Sequence, residues 1–125
     1  MKIGEVSNVL GTEVHVLRHW DDMGVVSPQR TSTGQREYSE ENLTRLRIVL
    51  ACRRVGISLP DIRSILHRSE PGRTAVIERR IQAIRTQRAH LDSSEQFLLH
   101  VISCRHDLLT RCVQCTEYAV SEAGH

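Results

Sequence analysis

Apolar residues recur along this chain with a helical period in several short stretches and one long one. Ile3, Val6 and Leu10 stand three and four apart and predict a short amphipathic helix over residues 3–10. Gly11 can adopt the left-handed conformation that ends such a helix, and Thr12 can cap a second one running to Trp20. That second stretch carries Val14, Val16 and Leu17, followed by Arg18-His19-Trp20. Two short helices around a tight glycine turn have the composition of a helix-turn-helix. Between Val25 and Tyr38 the period is lost. Val25-Val26 and Arg36-Glu37-Tyr38 flank a polar stretch, Ser27 to Gln35, which predicts two extended arms of a small β-ribbon, or wing. Ser39-Glu40-Glu41-Asn42 then opens a helix with an N-cap and first-turn acids, and Leu43, Leu46 and Leu50 form its apolar stripe. Gly56 stops it. Ser58-Leu59-Pro60-Asp61 starts the next helix, with Ile62, Ile65 and Leu66 facing inward.

Beyond Pro71-Gly72 the pattern becomes a heptad. Ile77, Ile81, Ile84, Leu91, Leu98 and Ile102 alternate spacings of four and three, with Arg88 and Glu95 at the two polar positions of the seam. Residues 73–103 contain neither Gly nor Pro, and as a helix they span about 45 Å at 1.5 Å per residue. A stripe of that length is more than the preceding small domain can cover, so it predicts self-association into a homodimer. The fold class expected is mainly α. Residues 1–70 form a winged helix-turn-helix, 71–103 a coiled-coil dimerisation helix and 104–125 a cysteine-bearing tail.

Composition narrows the function. The chain has 125 residues, 39% hydrophobic and 26% charged, as in a folded domain rather than a disordered one. A formal charge of +2 selects no partner by bulk electrostatics, so any anionic ligand must be argued from particular residues. Arginine supplies all but one of the 17 basic groups. With 3% aromatic residues, recognition of single strands by base stacking is not expected. The N-terminal residues lack a signal peptide's apolar stretch and no run is long enough to span a membrane, which predicts a cytoplasmic protein without a membrane partner. Four cysteines in a reducing compartment then suggest thiol or metal chemistry before disulfides. No nucleophile–base pair or phosphate-binding loop is visible, so an enzyme is not expected, nor is an organic cofactor.

Five segments now resemble a known family. Ile3-Gly4-Glu5-Val6, Leu17-Arg18-His19-Trp20, Gly24 to Arg30, Gly34-Gln35-Arg36-Glu37-Tyr38 and Gly56 to Ile62 are similar, in order and spacing, to MerR-family transcription regulators. The resemblance covers residues 2 to about 68, with the long helix following where that family places its dimer helix. It implies a winged helix-turn-helix that binds double-stranded DNA at an inverted-repeat operator as an antiparallel coiled-coil dimer. It further implies a regulator that distorts a promoter so that RNA polymerase can engage it, a form of control that resides in DNA deformation energy. On that reading Thr12, Val14 and His15 would meet base edges in the major groove. Arg18, His19 and Trp20 would contact the sugar-phosphate backbone, Arg30 and Arg36 the flanking phosphates, and Arg53 would serve a second wing. The chain departs from the family pattern at Thr12-Glu13, His19-Trp20 and Gln35.

The tail carries the candidate effector chemistry. Cys104, Cys112 and Cys115 fall within twelve residues, with His106 two after Cys104 and His100 one helical turn before it. Cys104, His106, Cys112 and Cys115 make a plausible tetrahedral set for Zn(II) or another thiophilic ion, with His100 the alternative fourth ligand. Metal sensing, a purely structural metal and thiol redox switching, the last favoured by flanking Arg105 and Arg111, use the same atoms and stay open at this point. An architectural or excisionase-like DNA binder, which can use the same wing without an effector, is the reading from a different functional class. Cys52 is expected to be inert core, and His67, His90 and His125 carry no readable role.

Overall fold

A computed structural model describes residues 1–107 and 111–123, so Leu108 to Thr110 and the last two residues of the predicted tail lie outside the described residues. The elements run α1 (Ile3–Leu10), α2 (Val14–Asp22), β1 (Gln29–Arg30), β2 (Arg36–Glu37), α3 (Glu40–Arg54), α4 (Leu59–Leu66), α5 (Arg73–Ser103) and α6 (Val113–Ala123). They fall in two compact units, Met1–Glu78 and Arg79 onward, each described by itself.

The first unit is a winged helix-turn-helix. Gly11, at φ 66°, closes α1 with its N–H on the Ser7 carbonyl, a conformation open to glycine at little cost. Contrary to expectation, Thr12 does not cap α2. Glu13 occupies the N-cap position and Val16 and Leu17 donate to its carbonyl, so the helix begins one residue later than its polar signal suggested. The wing is also shorter than predicted. Only Gln29–Arg30 and Arg36–Glu37 pair, antiparallel, while Val25 and Val26 are fully buried and join the core rather than an arm. Their adjacency explains this, since a pair that buries both side chains cannot be a half-exposed strand. Gly34, at φ 83°, sits in the tip, where Thr31 and Gln35 close the loop. Ser39 caps α3 by accepting from the Asn42 N–H at 3.0 Å, and Ser58 caps α4 through Asp61 N–H. Eleven buried residues form one core, among them Val6, Leu17, Trp20, Leu46, Val49 and Ile62.

The second unit is built differently. Helix α5 has no buried residue, and of its heptad positions Ile81, Leu91, Leu98 and Ile102 are exposed. Helix α6, which the sequence reading did not anticipate, packs on the end of α5 through Tyr118. Its ring stacks on Phe97 with centroids 4.2 Å apart and planes 8° from parallel, and its hydroxyl lies 2.9 Å from Ser94 Oγ. Among the described residues no helix is long and apolar enough to cross a membrane.

Candidate nucleic-acid interface and metal centre

In the first unit, α2 buries Leu17 and Trp20 and turns His15, Arg18, His19 and Asp22 outward, the i, i+3, i+4, i+7 face of one helix. The wing folds beside it, and Arg18, Arg30, Arg36 and Lys2 line a single cleft of about 440 Å³ together with Ile3, Gly34 and Gln35. Four cations thus line one opening, two of them, Lys2 and Arg36, already paired with carboxylates. Lys2 was not anticipated. Pairing with Glu37 at the β-ribbon brings it there: the two form an isolated antiparallel bridge, with Lys2 Nζ 3.4 Å from the carboxylate.

The expected contacts divide. His15, Arg18 and His19 are exposed, Val14 is half-buried on the helix's flank, and Thr12 precedes the helix. Trp20 is corrected: at 6% exposure its ring fills the core and is not free to lie along a DNA backbone. Arg36 lines the cleft but is turned mostly inward. Its side chain is 15% exposed, and Nε donates to Asp21 Oδ2 at 2.7 Å, with Asp22 a further 3.8 Å contact. That hydrogen bond is the main cause of its raised pKa. Arg30, 51% exposed, holds the same Asp21 oxygen at 3.3 Å and keeps an open side. Arg53 is exposed, with Nη1 donating to the Ile57 carbonyl at 3.0 Å, which steadies the α3–α4 turn.

The second unit gathers its chemistry at the end of α5. His100, Cys104, Cys112 and Cys115 place one ligand atom each within 4.8 Å of the others. Two chain features bring them together. Cys104 directly follows α5 with its N–H on the His100 carbonyl at 2.9 Å, and Cys112 and Cys115 lie one turn apart at the start of α6. His100 Nε2 lies 3.1 Å from Cys112 Sγ. His106 is not in the set: it is exposed, and only its carbonyl lies near Cys104 Sγ, at 4.0 Å. The histidine grouped with the three thiols is therefore the helical one, whose one-turn spacing from Cys104 was the legible signal. The Cys112 thiol is held down to about 6, chiefly by the Cys115 backbone N–H, with His100 and Cys104 helping and burial opposing. Burial, joined by the neighbouring Cys112, pushes Cys115 up to about 11. All four cysteines are free thiols, and Cys52 packs against the first unit's core.

This donor set fits a metal ion. Tetrahedral zinc at its usual bond lengths separates its ligand atoms by about 3.5–3.8 Å, so a cluster already within 4.8 Å needs only a small contraction. Three sulfurs and one imidazole also match a thiophilic ion's preferences.

The comparisons decide the family. The model of MerR HTH family regulatory proteins matches residues 1–69, and a MerR DNA-binding model matches residues 43–101. The chain belongs to the MerR family. The HTH-type transcriptional regulator ZntR homolog of Haemophilus influenzae is 41% identical over 68 residues, 54% of this chain and 50% of that protein. The chain thus matches about half the length of that curated MerR relative. Among solved structures, HiNmlR, a MerR family regulator lacking the sensor domain and bound to promoter DNA, aligns with TM-score 0.66 and 19% identity, over 82% of this chain and 86% of its own. A transcription regulator from Ralstonia metallidurans in complex with lead(II) aligns with TM-score 0.54 and 24% identity, over 94% and 98%. These two likenesses establish the MerR fold. The expected mainly α architecture, with its helix-turn-helix and long C-terminal helix, is confirmed.

Proposed function

We propose that this MerR-family chain is a homodimeric transcription regulator that binds inverted-repeat promoter DNA and holds one thiophilic metal ion per subunit. The observation that carries the DNA reading is the cleft where Arg18 of α2 and Arg30 of the wing converge beside an outward helix face. Residues 1–70 would bind DNA, with His15, Arg18, His19 and Arg30 as its contacts. Residues 71–103 would dimerise through the exposed Ile81, Leu91, Leu98 and Ile102, and 104–125 would receive the effector. The promoter-bound HiNmlR structure supports the first assignment and the lead(II)-bound Ralstonia regulator the last. Distortion of a promoter engaged by RNA polymerase, in the cytoplasm, is the mode of action proposed.

His100, Cys104, Cys112 and Cys115 would hold the ion, which supplies a closed tetrahedral centre that ties the start of α6 to the end of α5. The chain's own groups prepare this. The Cys112 sulfur is already favoured as thiolate, and His100 must present a neutral ring nitrogen. A redox reading keeps one specific support, the low-pKa Cys112 beside a second thiol.

Cobalt(II) titration of the reduced, metal-free full chain separates the two, because a tetrahedral sulfur-rich site gives intense visible absorption. One equivalent per chain is expected, lost in Cys112→Ser and altered in His100→Gln but not His106→Gln. An inert chain whose thiols instead pair reversibly under mild oxidant would overturn the metal reading. Retained binding to a selected inverted-repeat duplex, tested with and without the ion, checks the DNA reading independently.

A further inference from the structure

We propose that Asp21 is the positioning residue of the nucleic-acid face, fixing the wing against α2 through Arg36 and leaving Arg30 as the wing's phosphate-binding cation. The inference rests on the DNA-binding function proposed above.

Three observations carry it. The ribbon register sets Arg30 directly opposite Arg36, and like charges facing across strands destabilise a pair. With two residues per strand, this ribbon has little pairing to spare, since even longer isolated hairpins are marginal. Something must neutralise the pair, and Asp21 Oδ2 lies 2.7 Å from Arg36 Nε and 3.3 Å from Arg30 Nη2. Moreover, an acid in the last turn of a helix opposes the macrodipole, so Asp21 does not serve α2 itself. The carboxylate belongs to the wing.

The two arginines are not equivalent partners. Asp21 and Arg36 are 12% and 15% exposed, so their link is shielded and short. Arg30 is 51% exposed, makes the longer contact and also donates Nη1 to the Gly34 carbonyl at 3.1 Å. Its fork retains donors for an incoming phosphate while Asp21 holds its other edge. Arg36 has its Nε committed inward.

The test uses the full chain and a duplex carrying the inverted repeat that the wild-type protein selects from a random-sequence library. Affinity is read by fluorescence anisotropy between about 50 and 200 mM salt, where each phosphate contact contributes about one unit to the slope of log affinity against log salt. Asp21→Asn and Arg36→Gln are each expected to weaken binding about tenfold with the slope kept, and the double variant to be no weaker than either, because both break one link. Arg30→Gln, which removes one contact from each of the two subunits, is expected to lower the slope by about two. Asp21→Glu, which keeps a carboxylate, should recover most of the affinity. A fall in slope for Arg36→Gln equal to that of Arg30→Gln would overturn the assignment. So would tighter or unchanged binding by Asp21→Asn, since that carboxylate would then only screen two phosphate-binding arginines. If Asp21→Asn does not fold at the assay temperature, the comparison of Arg36→Gln with Arg30→Gln still decides. Selection of no duplex at all by the wild type is a separate result that removes the DNA-binding function and this proposal with it.

Discussion

The two units of this molecule solve the burial problem in opposite ways. The first hides eleven apolar residues in one core within fewer than eighty residues. The second has only Cys112 and Cys115 buried among its described residues, while Ile102 of its long helix is 84% exposed. A core of thiols and an uncovered apolar stripe are not a self-sufficient arrangement. The first unit is stabilised by what its own sequence folds back on itself. On the function proposed above, the second would be completed by what it binds, a second copy along the stripe and an ion at the cluster.

The sharpest way to break this contrast is to remove the same kind of side chain from each unit. Leu46→Ala, at a position 1% exposed, is expected to cost about 2–5 kcal/mol through lost burial and the cavity left behind. For a domain this small that is a large share of its stability, and thermal unfolding followed by circular dichroism should show it largely unfolded at moderate temperature. Ile102→Ala, measured in the full chain diluted until light scattering shows a monomer, should be nearly silent in the same measurement. Equal costs would mean that the stripe is not open.

Leu91→Glu with Leu98→Glu tests the other side of the contrast. Two charges placed on the exposed seam should leave the first unit's melting unchanged and convert a dimer to a monomer by light scattering. Losing the second reading head should weaken operator binding by about a hundredfold or more, since the two half-sites no longer act together. A dimer that survives both charges would place the interface elsewhere.

How legible each unit was follows from the same contrast. Helices α1, α3, α4 and α5 were readable because their signals are local: apolar spacing, Ser39 and Ser58 as caps, and glycines at 11 and 56. What the spacing could not show was long-range. Trp20 reads in sequence as an aromatic at the DNA backbone, and only the fold shows it in one buried cluster with Leu17 and Val25. Arg36 looks like a phosphate ligand until Asp21, fifteen residues away, is folded against it. Helix α6 was hidden because Cys112-x-x-Cys115 reads first as a ligand pair, although Cys112, Cys115 and Tyr118 also stand at helical spacing. His100 was visible by its one-turn offset from Cys104, but His106 is nearer in sequence, and proximity along the chain proved the poorer guide.

A third effect belongs to the second unit's unusual core. Cys112 and Cys115 are equally buried, so their difference in reactivity isolates their difference in ionisation. The thiolate is the nucleophile, so a thiol lowered to about 6 is reactive at neutral pH and becomes inert as pH falls below that value. One raised to about 11 stays protonated and slow throughout this range. In metal-free, reduced protein, peptide mapping after brief alkylation at pH 7.5 should therefore find Cys112 modified well before Cys115, with the rate at Cys112 falling toward about pH 5 while Cys115 stays unlabelled. Equal labelling of the two, or a preference for Cys115, would contradict the arrangement in which the Cys115 N–H stabilises the Cys112 sulfur.

The smallest effect tests whether the two units are energetically separate. Ser39 caps α3 by accepting from Asn42 N–H at 3.0 Å, while the Asn42 side chain accepts from Ser39 N–H at 2.9 Å. Ser39→Ala removes the first of these bonds and is expected to cost about 1 kcal/mol. Because α3 carries Leu43, Leu46 and Val49 into the core, that loss should appear in the first unit's unfolding transition. It should leave oligomeric state, cobalt uptake and Cys112 alkylation unchanged. Combined with Leu91→Glu, the two costs should add to within about 0.5 kcal/mol, as they do for sites that share no partner. A larger coupling would show that dimerisation reaches the helix-turn-helix core, and that the division between a self-sufficient reading head and a ligand-completed tail is drawn too cleanly.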